Sequence, residues 1–244
     1  MYLSHFAIAE MPFGLTPDTA FAFPARSHQE ALNTLLLACE GGEGFIKITG
    51  EVGTGKTLLC RRFLATLQGD AVSCYLPNPQ NTPRTLLLAL AEELGQVLPA
   101  SCDEFTLLKR IGDKLLELAD AGKRVVVCVD EAQALKHASL ETLRLLSNLE
   151  TEKRKLMQVV LFGQPELDAQ LAMPNLRQLR QRISFHHRLG VFSREELRLY
   201  LDHRLRVAGY RGPEVFSRGA STVATKFVSA RAVGVIFSHP SATR

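Results

Sequence analysis

An α/β fold, a parallel sheet flanked by helices, is what this 244-residue sequence predicts, and three observations carry the prediction. Short β-type runs alternate with stretches of helical periodicity, the order that yields a parallel sheet with right-handed crossovers. One run, Val125-Val126-Val127-Cys128-Val129, is continuously apolar and mostly β-branched, as a strand buried on both faces must be. A glycine-rich segment from Gly50 to Thr57 stands between a β-type run and an amphipathic one.

The elements follow in order. Residues 1–27, rich in Pro, Phe and Thr, read as an extended lead-in with few regular elements. A helix is expected over 28–39, with Ala31, Leu32, Leu35, Leu36 and Cys39 on one face and Gly41-Gly42 to stop it. Residues 45–49 form a strand that runs into the glycine loop, and 56–67 a helix with Leu58, Leu59, Phe63, Leu64 and Leu67 on one side. A strand over 71–76 is closed by Pro77-Asn78-Pro79, and helices follow over 84–94 and 103–121. After the buried strand at 125–129 come a helix over 140–150, a second buried strand over 156–162 and a β-like run over 183–189. The helix over 193–208 opens with a capping box, Ser193 to Glu196, ends at Gly209 and begins a second, helical subdomain. The expected division is a lead-in and first helix over 1–40, a core over 41–190 and a lid over 191–244.

The loop itself, Gly50-Glu51-Val52-Gly53-Thr54-Gly55-Lys56-Thr57 with Leu58 behind it, has the Gly-x4-Gly-Lys-Thr spacing in the strand-to-helix setting that a nucleotide site requires. Glycines let the backbone wrap so that successive N–H groups face phosphate oxygens. The helix N-terminus adds free donors and the positive end of its dipole. Lys56 can reach the β- and γ-phosphates and the Thr57 hydroxyl can ligate Mg²⁺. A glycine-rich turn that merely precedes a helix is the plain alternative. The pattern and its context identify a P-loop NTPase taking ATP with Mg²⁺.

Asp130-Glu131 ends the most apolar strand. In open parallel sheets ligands bind beyond the carboxyl ends of the strands, which brings both acids to the loop's side. Asp130 suits a direct or water-mediated Mg²⁺ contact, and Glu131 suits the general base that orients the attacking water. A solvated loop carrying two acids is the bland reading. Gln164, just past the strand at 156–162, is a candidate sensor of the γ-phosphate, or a turn residue ahead of Pro165. Arg177, Arg180, Arg182 and Arg188 with His186 and His187 form the densest basic stretch. It reads as a solvated helix face, as a nucleic-acid patch, or as the source of an arginine finger for a neighbouring subunit, for which Arg182 is the choice. His28 is a candidate to cap or line the nucleotide pocket, while His137 and His203 read as surface residues.

Composition narrows the setting. Apolar residues make up 46% and charged residues 22%, the balance of an ordinary soluble protein. A net charge of +4 is too small to argue for nucleic acid by itself. No apolar run approaches the length of a membrane span, and the N-terminus carries no signal-peptide pattern. The five cysteines are scattered with no Cys-x-x-Cys, which points to a reducing cytoplasm.

With these residues in hand the chain resembles the AAA ATPases typified by general secretion pathway protein A (ExeA), and among them the MshM-type ATPases of mannose-sensitive haemagglutinin (MSHA) type IV pilus biogenesis. Met1-Tyr2-Leu3, Pro12-Phe13-Gly14-Leu15-Thr16-Pro17-Asp18 and the run Gly42 to Thr57 carry the resemblance. So do Val129-Asp130-Glu131-Ala132-Gln133, Leu161-Phe162-Gly163-Gln164-Pro165-Glu166-Leu167, Gln181-Arg182-Ile183 and the helix with Tyr200 and Arg204-Leu205. It covers roughly residues 1–218. It implies a cytoplasmic ATPase that oligomerises and supports assembly of a pilus or secretion machine at the inner membrane through partner proteins, with Gln164 at the sensor position and Arg182 at the finger. Short members of this kind lack the transmembrane and peptidoglycan-binding extension of the secretion homologue, and the resemblance implies the same expectation here.

The tail departs from the family. Where the lid should continue with a helix bearing an Arg-Gly-x-Pro-Arg type motif, residues 220–244 hold no Asp or Glu and have β-branched residues in place of helical periodicity. The expectation is a truncated lid caused by a frame shift near Gly219-Ala220, with a genuine short variant as the alternative; either way turnover or its coupling to motion is impaired. Two other functions share the core: a DNA-associated regulator like the transposition ATPases, with nucleic acid the less favoured partner, and a nucleotide-gated scaffold without turnover.

Overall fold

Side-chain alternation along the strands decides the architecture. The computed structural model describes residues 2–13, 19–67, 69, 71–79, 82–150, 155–213 and 215–216, so the expectations about the tail beyond 216 lie outside the described residues. In chain order α1 (Tyr2–Phe6) and a 3-10 turn (Thr19–Phe21) precede α2 (Arg26–Glu40), β1 (Phe45–Gly50), α3 (Lys56–Thr66) and β2 (Ala71–Leu76). Then come α4 (Pro83–Glu93), α5 (Glu104–Asp120), β3 (Arg124–Val129), a 3-10 turn (Ala132–Ala134) and α6 (His137–Leu146). The series ends with β4 (Met157–Gly163), α7 (Pro165–Leu171), a 3-10 turn (Pro174–Leu176), α8 (Arg177–Arg180), β5 (Ile183–Leu189) and α9 (Arg194–Val207).

All strand pairs are parallel, in the order β2-β3-β4-β1-β5. On β3, Val125, Val127 and Val129 pack in one core with α4, α5, α6 and α7, while Val126 and Cys128 pack in another with α2 and α3. Opposite faces at a period of two are what a doubly covered strand demands. α5 supplies Leu107, Ile111, Leu115 and Ala119 to the first core, four residues apart on one stripe, and Asp103 caps it by accepting from Thr106 N–H at 2.8 Å. Buried Gln158 donates to the carbonyls of Cys39 and Glu43 at 3.1 and 2.9 Å, tying the end of α2 to β4.

The expected strands and long helices are present, with ends moved by one or two residues. α6 differs more, stopping at Leu146, because the carbonyl of Leu149 accepts from Leu156 N–H at 3.0 Å and Glu150 bridges Lys155 on the approach to β4. The short helices α7 and α8 were not anticipated, since one or two turns leave too little periodicity to read. The lead-in does more than link. Ile8 and Phe21 bury against Ala208 at the end of α9, Ala9 N–H donates to the Ala208 carbonyl at 2.8 Å, and Arg204 donates to the Pro12 carbonyl. His203 is not a plain surface residue, for its ring tilts against Phe23 at 5.7 Å. Among the described residues no helix is long and apolar enough to cross a membrane.

Phe63 is fully buried between α3 and the sheet, whereas Phe105 at the start of α5 is 77% exposed. Phe63→Ala is expected to cost about 3–5 kcal/mol in urea unfolding, the range for emptying a packed aromatic site. Phe105→Ser should change stability by about 0.5 kcal/mol or less in the same titration.

Candidate functional site

The site is set by where β1, β3 and β4 stop. β4 lies between β3 and β1, so the ends of those two strands stand two strand spacings, about 10 Å, apart. Beyond β1 the chain turns through the glycine loop. Gly53 and Gly55 hold φ of 80° and 82°, a left-handed backbone that disfavours any other residue. A Cβ on Gly50 would stand 2.7 Å from Thr54 Oγ1 and 3.0 Å from the Leu189 backbone, and one on Gly55 would stand 2.8 Å from His28 Nε2. Thr54 fastens the turn, its N–H and hydroxyl both donating to the Glu51 carbonyl at 3.2 and 2.8 Å. The cradle therefore fits phosphates carried against bare backbone, with α3 starting immediately behind it.

Lys56 folds back over the loop and donates to the carbonyls of Gly50 and Glu51 at 2.8 and 2.9 Å. Burial lowers its pKa, and Glu131, Asp130, Glu51 and Glu166 oppose that by favouring the charged form. α3 buries Leu59, Cys60 and Phe63 in the core that also holds Val160, Phe162, Val126 and Cys128, which fixes its first turn, with Thr57, beside Asp130. The Thr57 hydroxyl donates to Asp130 Oδ2 at 2.7 Å. A hydroxyl and a buried carboxylate converging from separate elements are hard oxygen donors of the kind Mg²⁺ takes, with phosphate and water oxygens filling its octahedron. Tyr75, at 3.4 Å from Asp130 Oδ2, belongs to the same group; burial and the neighbouring Asp130 push its phenol up to about 12.

Glu131 occupies a left-handed conformation, φ 52°, uncommon for a residue with a side chain. Its Oε2 accepts from Gln164 Nε2 at 3.1 Å and from Gln133 Nε2 at 2.5 Å. Gln133 Oε1 in turn accepts the Gln164 N–H at 3.0 Å.

Beside the loop a cavity of about 110 Å³ is walled by Val52, Leu58, Phe23, Phe192, Tyr200 and His28. Phe192 and Tyr200 lie 5.3 Å apart and Phe23 meets each at about 6 Å, an apolar, aromatic chamber next to a phosphate cradle. His28, from α2, sets its Nε2 2.7 Å from the Thr54 carbonyl, so this nitrogen carries the hydrogen.

Of the residues singled out in the sequence, Gly50 through Leu58, Asp130, Glu131 and Gln164 converge on one edge. Arg182 does not join them. It is exposed and precedes Ile183, which pairs with Phe45 at the starting end of β1. The seven residues of β5, about 20 Å at ~3.3 Å each, separate it from the loop. Within one chain it is out of reach. Arg188 is nearer, 4.0 Å from the Glu51 carboxylate, in an exposed pair of little energetic weight. Arg177 and Arg180 on α8 are exposed. Gln133 and Tyr75 were not singled out for a role: Gln133 had only its place two residues after Glu131 to announce it, and Tyr75 sits on a different strand. The chamber's aromatics, spread from 23 to 200, carry no local pattern at all.

Comparison with known proteins adds three findings. The sequence profile described as AAA domain matches residues 39–171. General secretion pathway protein A of Aeromonas hydrophila is 44% identical over 209 residues, which are 86% of this chain and 38% of that protein; the chain thus spans under half the length of its relative. Among solved structures, the Aeropyrum pernix ORC1 protein in complex with DNA superposes with a TM-score of 0.66 at 18% identity, covering 91% of this chain and 59% of that one. The ORC2 protein of the same organism, in ADPNP-ADP complexes, gives 0.61 at 18% identity over 84% and 58%. These last likenesses concern the fold and nothing further.

Burial lowers the pKa of His28 below 6.5, with Arg62 and His187 acting the same way and the Thr54 carbonyl and Glu196 opposing. The folded state then binds fewer protons than the unfolded one, so stability rises with pH. The contribution is whole above 6.5 and drains away as pH falls through and below it. Thermal unfolding of wild type and His28→Gln should accordingly show a wild-type advantage at pH 7.5 that narrows steadily toward pH 5; a constant gap would assign the pH dependence to other groups.

Proposed function

The chain belongs to the AAA domain family, and from that premise we propose that it is a Mg²⁺-dependent ATPase that assembles into oligomers and supports a secretion or type IV pilus machine at the inner membrane. The single observation that carries the hydrolytic part is the meeting, at one sheet edge, of the glycine cradle, Lys56, the Thr57–Asp130 pair and the Glu131–Gln164 contact. The secretion role rests on the identity to general secretion pathway protein A, and the narrower assignment to MSHA-type pilus biogenesis rests on the motifs shared with those ATPases.

In this reading the base and ribose enter the aromatic chamber, and the phosphates run along the cradle toward Glu131. Lys56 exchanges its two carbonyl partners for β- and γ-phosphate oxygens, which offer it full negative charge. Thr57 and Asp130 would hold Mg²⁺, which would offset charge on the phosphate oxygens. Glu131 orients a water for in-line attack on the γ-phosphorus and accepts its proton; the bond to the bridging oxygen breaks and ADP leaves with the electron pair. Gln164 moves its amide from Glu131 to the γ-phosphate, a change of partner that reports ATP. Arg182, too far away to act on its own chain's loop, reaches the γ-phosphate of the neighbouring subunit, so that hydrolysis requires assembly.

Steady-state phosphate release tests these roles. Lys56→Ala should lose nucleotide binding. Glu131→Gln and Arg182→Ala should each keep binding and fall by at least ~100-fold in turnover. Mixing the last two variants should restore roughly a quarter of wild-type activity, because one interface in four then joins an intact base to an intact arginine. A mixture no more active than its separate components would remove Arg182 from the site.

A further inference from the structure

The geometry points to Gln133 as the positioning residue for Glu131, an amide clamp that fixes the carboxylate against the end of β4; the inference rests on Glu131 acting as the base. A glutamine amide can be turned either way in a structure, but here its chemistry leaves one choice. The Gln164 backbone N–H can only donate, so the atom it meets must be the oxygen, Oε1, at 3.0 Å. The nitrogen must then face Glu131, whose carboxylate can only accept, and it does, at 2.5 Å. One side chain thereby joins the end of β3 to the end of β4. Gly163, the last residue of β4, leaves the room: a Cβ there would lie 3.3 Å from Gln133 Oε1 as well as 2.7 Å from Leu167 Cδ2.

Two features raise the contact above an ordinary turn hydrogen bond. Glu131 sits in a left-handed backbone that needs neighbouring groups to maintain it, and Gln133 is the middle residue of the 3-10 turn (Ala132–Ala134) directly after it. Both amides also converge on the same oxygen, Oε2, so the carboxylate plane is fixed by two donors from different strand ends. When Gln164 turns its side chain to phosphate, its backbone N–H stays on Gln133 and Gln133 stays on Glu131. Gln133 therefore holds the base in register through the change of partner and acts on the reaction only through Glu131.

The test is a double-mutant cycle on the full chain with ATP as the probe. Gln133→Leu removes donor and acceptor at similar volume. It should lower kcat by about 10- to 100-fold, as the loss of supporting hydrogen bonds to functional groups does, with KM within about twofold of wild type. In a Glu131→Gln background the same substitution should alter the residual rate by less than about twofold, because the group it positions is gone. Gln133→His, which keeps a ring N–H and an acceptor nitrogen, should recover part of the loss. Equal fold-losses in both backgrounds, or wild-type kcat in Gln133→Leu, overturn the proposal. Glu131→Gln turning over at the wild-type rate sinks the base reading itself, and the clamp's role with it; an inactive Glu131→Gln beside a normal Gln133→Leu sinks the clamp alone. Should the leucine variant not fold, ¹H–¹⁵N spectra of the wild-type chain and Glu131→Ala decide: the Gln133 side-chain amide signals must shift, and unmoved signals reject the contact.

Discussion

Everything at the functional edge depends on β4 standing between β3 and β1 in a parallel sheet. Parallel strands all release their chains at the same edge, so the phosphate loop, the two acids and Gln164 are neighbours in space although Gln164 lies 114 positions after Gly50. The interposed strand sets the spacing: about 10 Å between the loop's strand and the acids' strand. α3 begins at that gap: Leu59, Cys60 and Phe63 on its buried face share a core with Phe162, Val160, Val126 and Cys128, and Thr57 in its first turn meets Asp130. The loop at the end of β1 and the packed start of α3 together bring a hydroxyl and a carboxylate to 2.7 Å.

How much of this was legible in the sequence divides along physical lines. Continuous β-branched runs and the long amphipathic helices announce themselves, because many residues repeat one constraint; β2 and β5 appear at the bounds the sequence suggested. The cradle was equally plain, since backbone wrapping requires glycines at fixed spacing. Less could be read where a contact joins distant residues through single side chains. His28 on the Thr54 carbonyl, Tyr75 beside Asp130, and Phe23, Phe192 and Tyr200 around the chamber each depend on tertiary placement. Gln133 is the instructive case, visible in the run Asp130 to Gln133 yet without an apparent task until β4 supplies its second partner.

The lead-in and α9 form the remaining wall. Pro12, Phe21 and Phe23 come from one end of the described chain, and Arg204, Tyr200 and Ala208 from the other. The Arg204 guanidinium lies 4.8 Å above the Phe21 ring while donating to the Pro12 carbonyl. A chamber built this way has its two halves tied to each other rather than only to the sheet. Phe23 of the lead-in, the loop's Val52 and Tyr200 of α9 line the same chamber.

On the proposed function this edge would hold a metal–nucleotide pair whose protein oxygens are those of Thr57 and Asp130. Electron paramagnetic resonance of Mn²⁺ titrated into the chain tests it most directly, with and without ATP. One tight Mn²⁺ per chain is the expected result, requiring nucleotide and lost in Thr57→Val and in Asp130→Ala. Binding that ignores ATP, or that survives both substitutions unchanged, would contradict it.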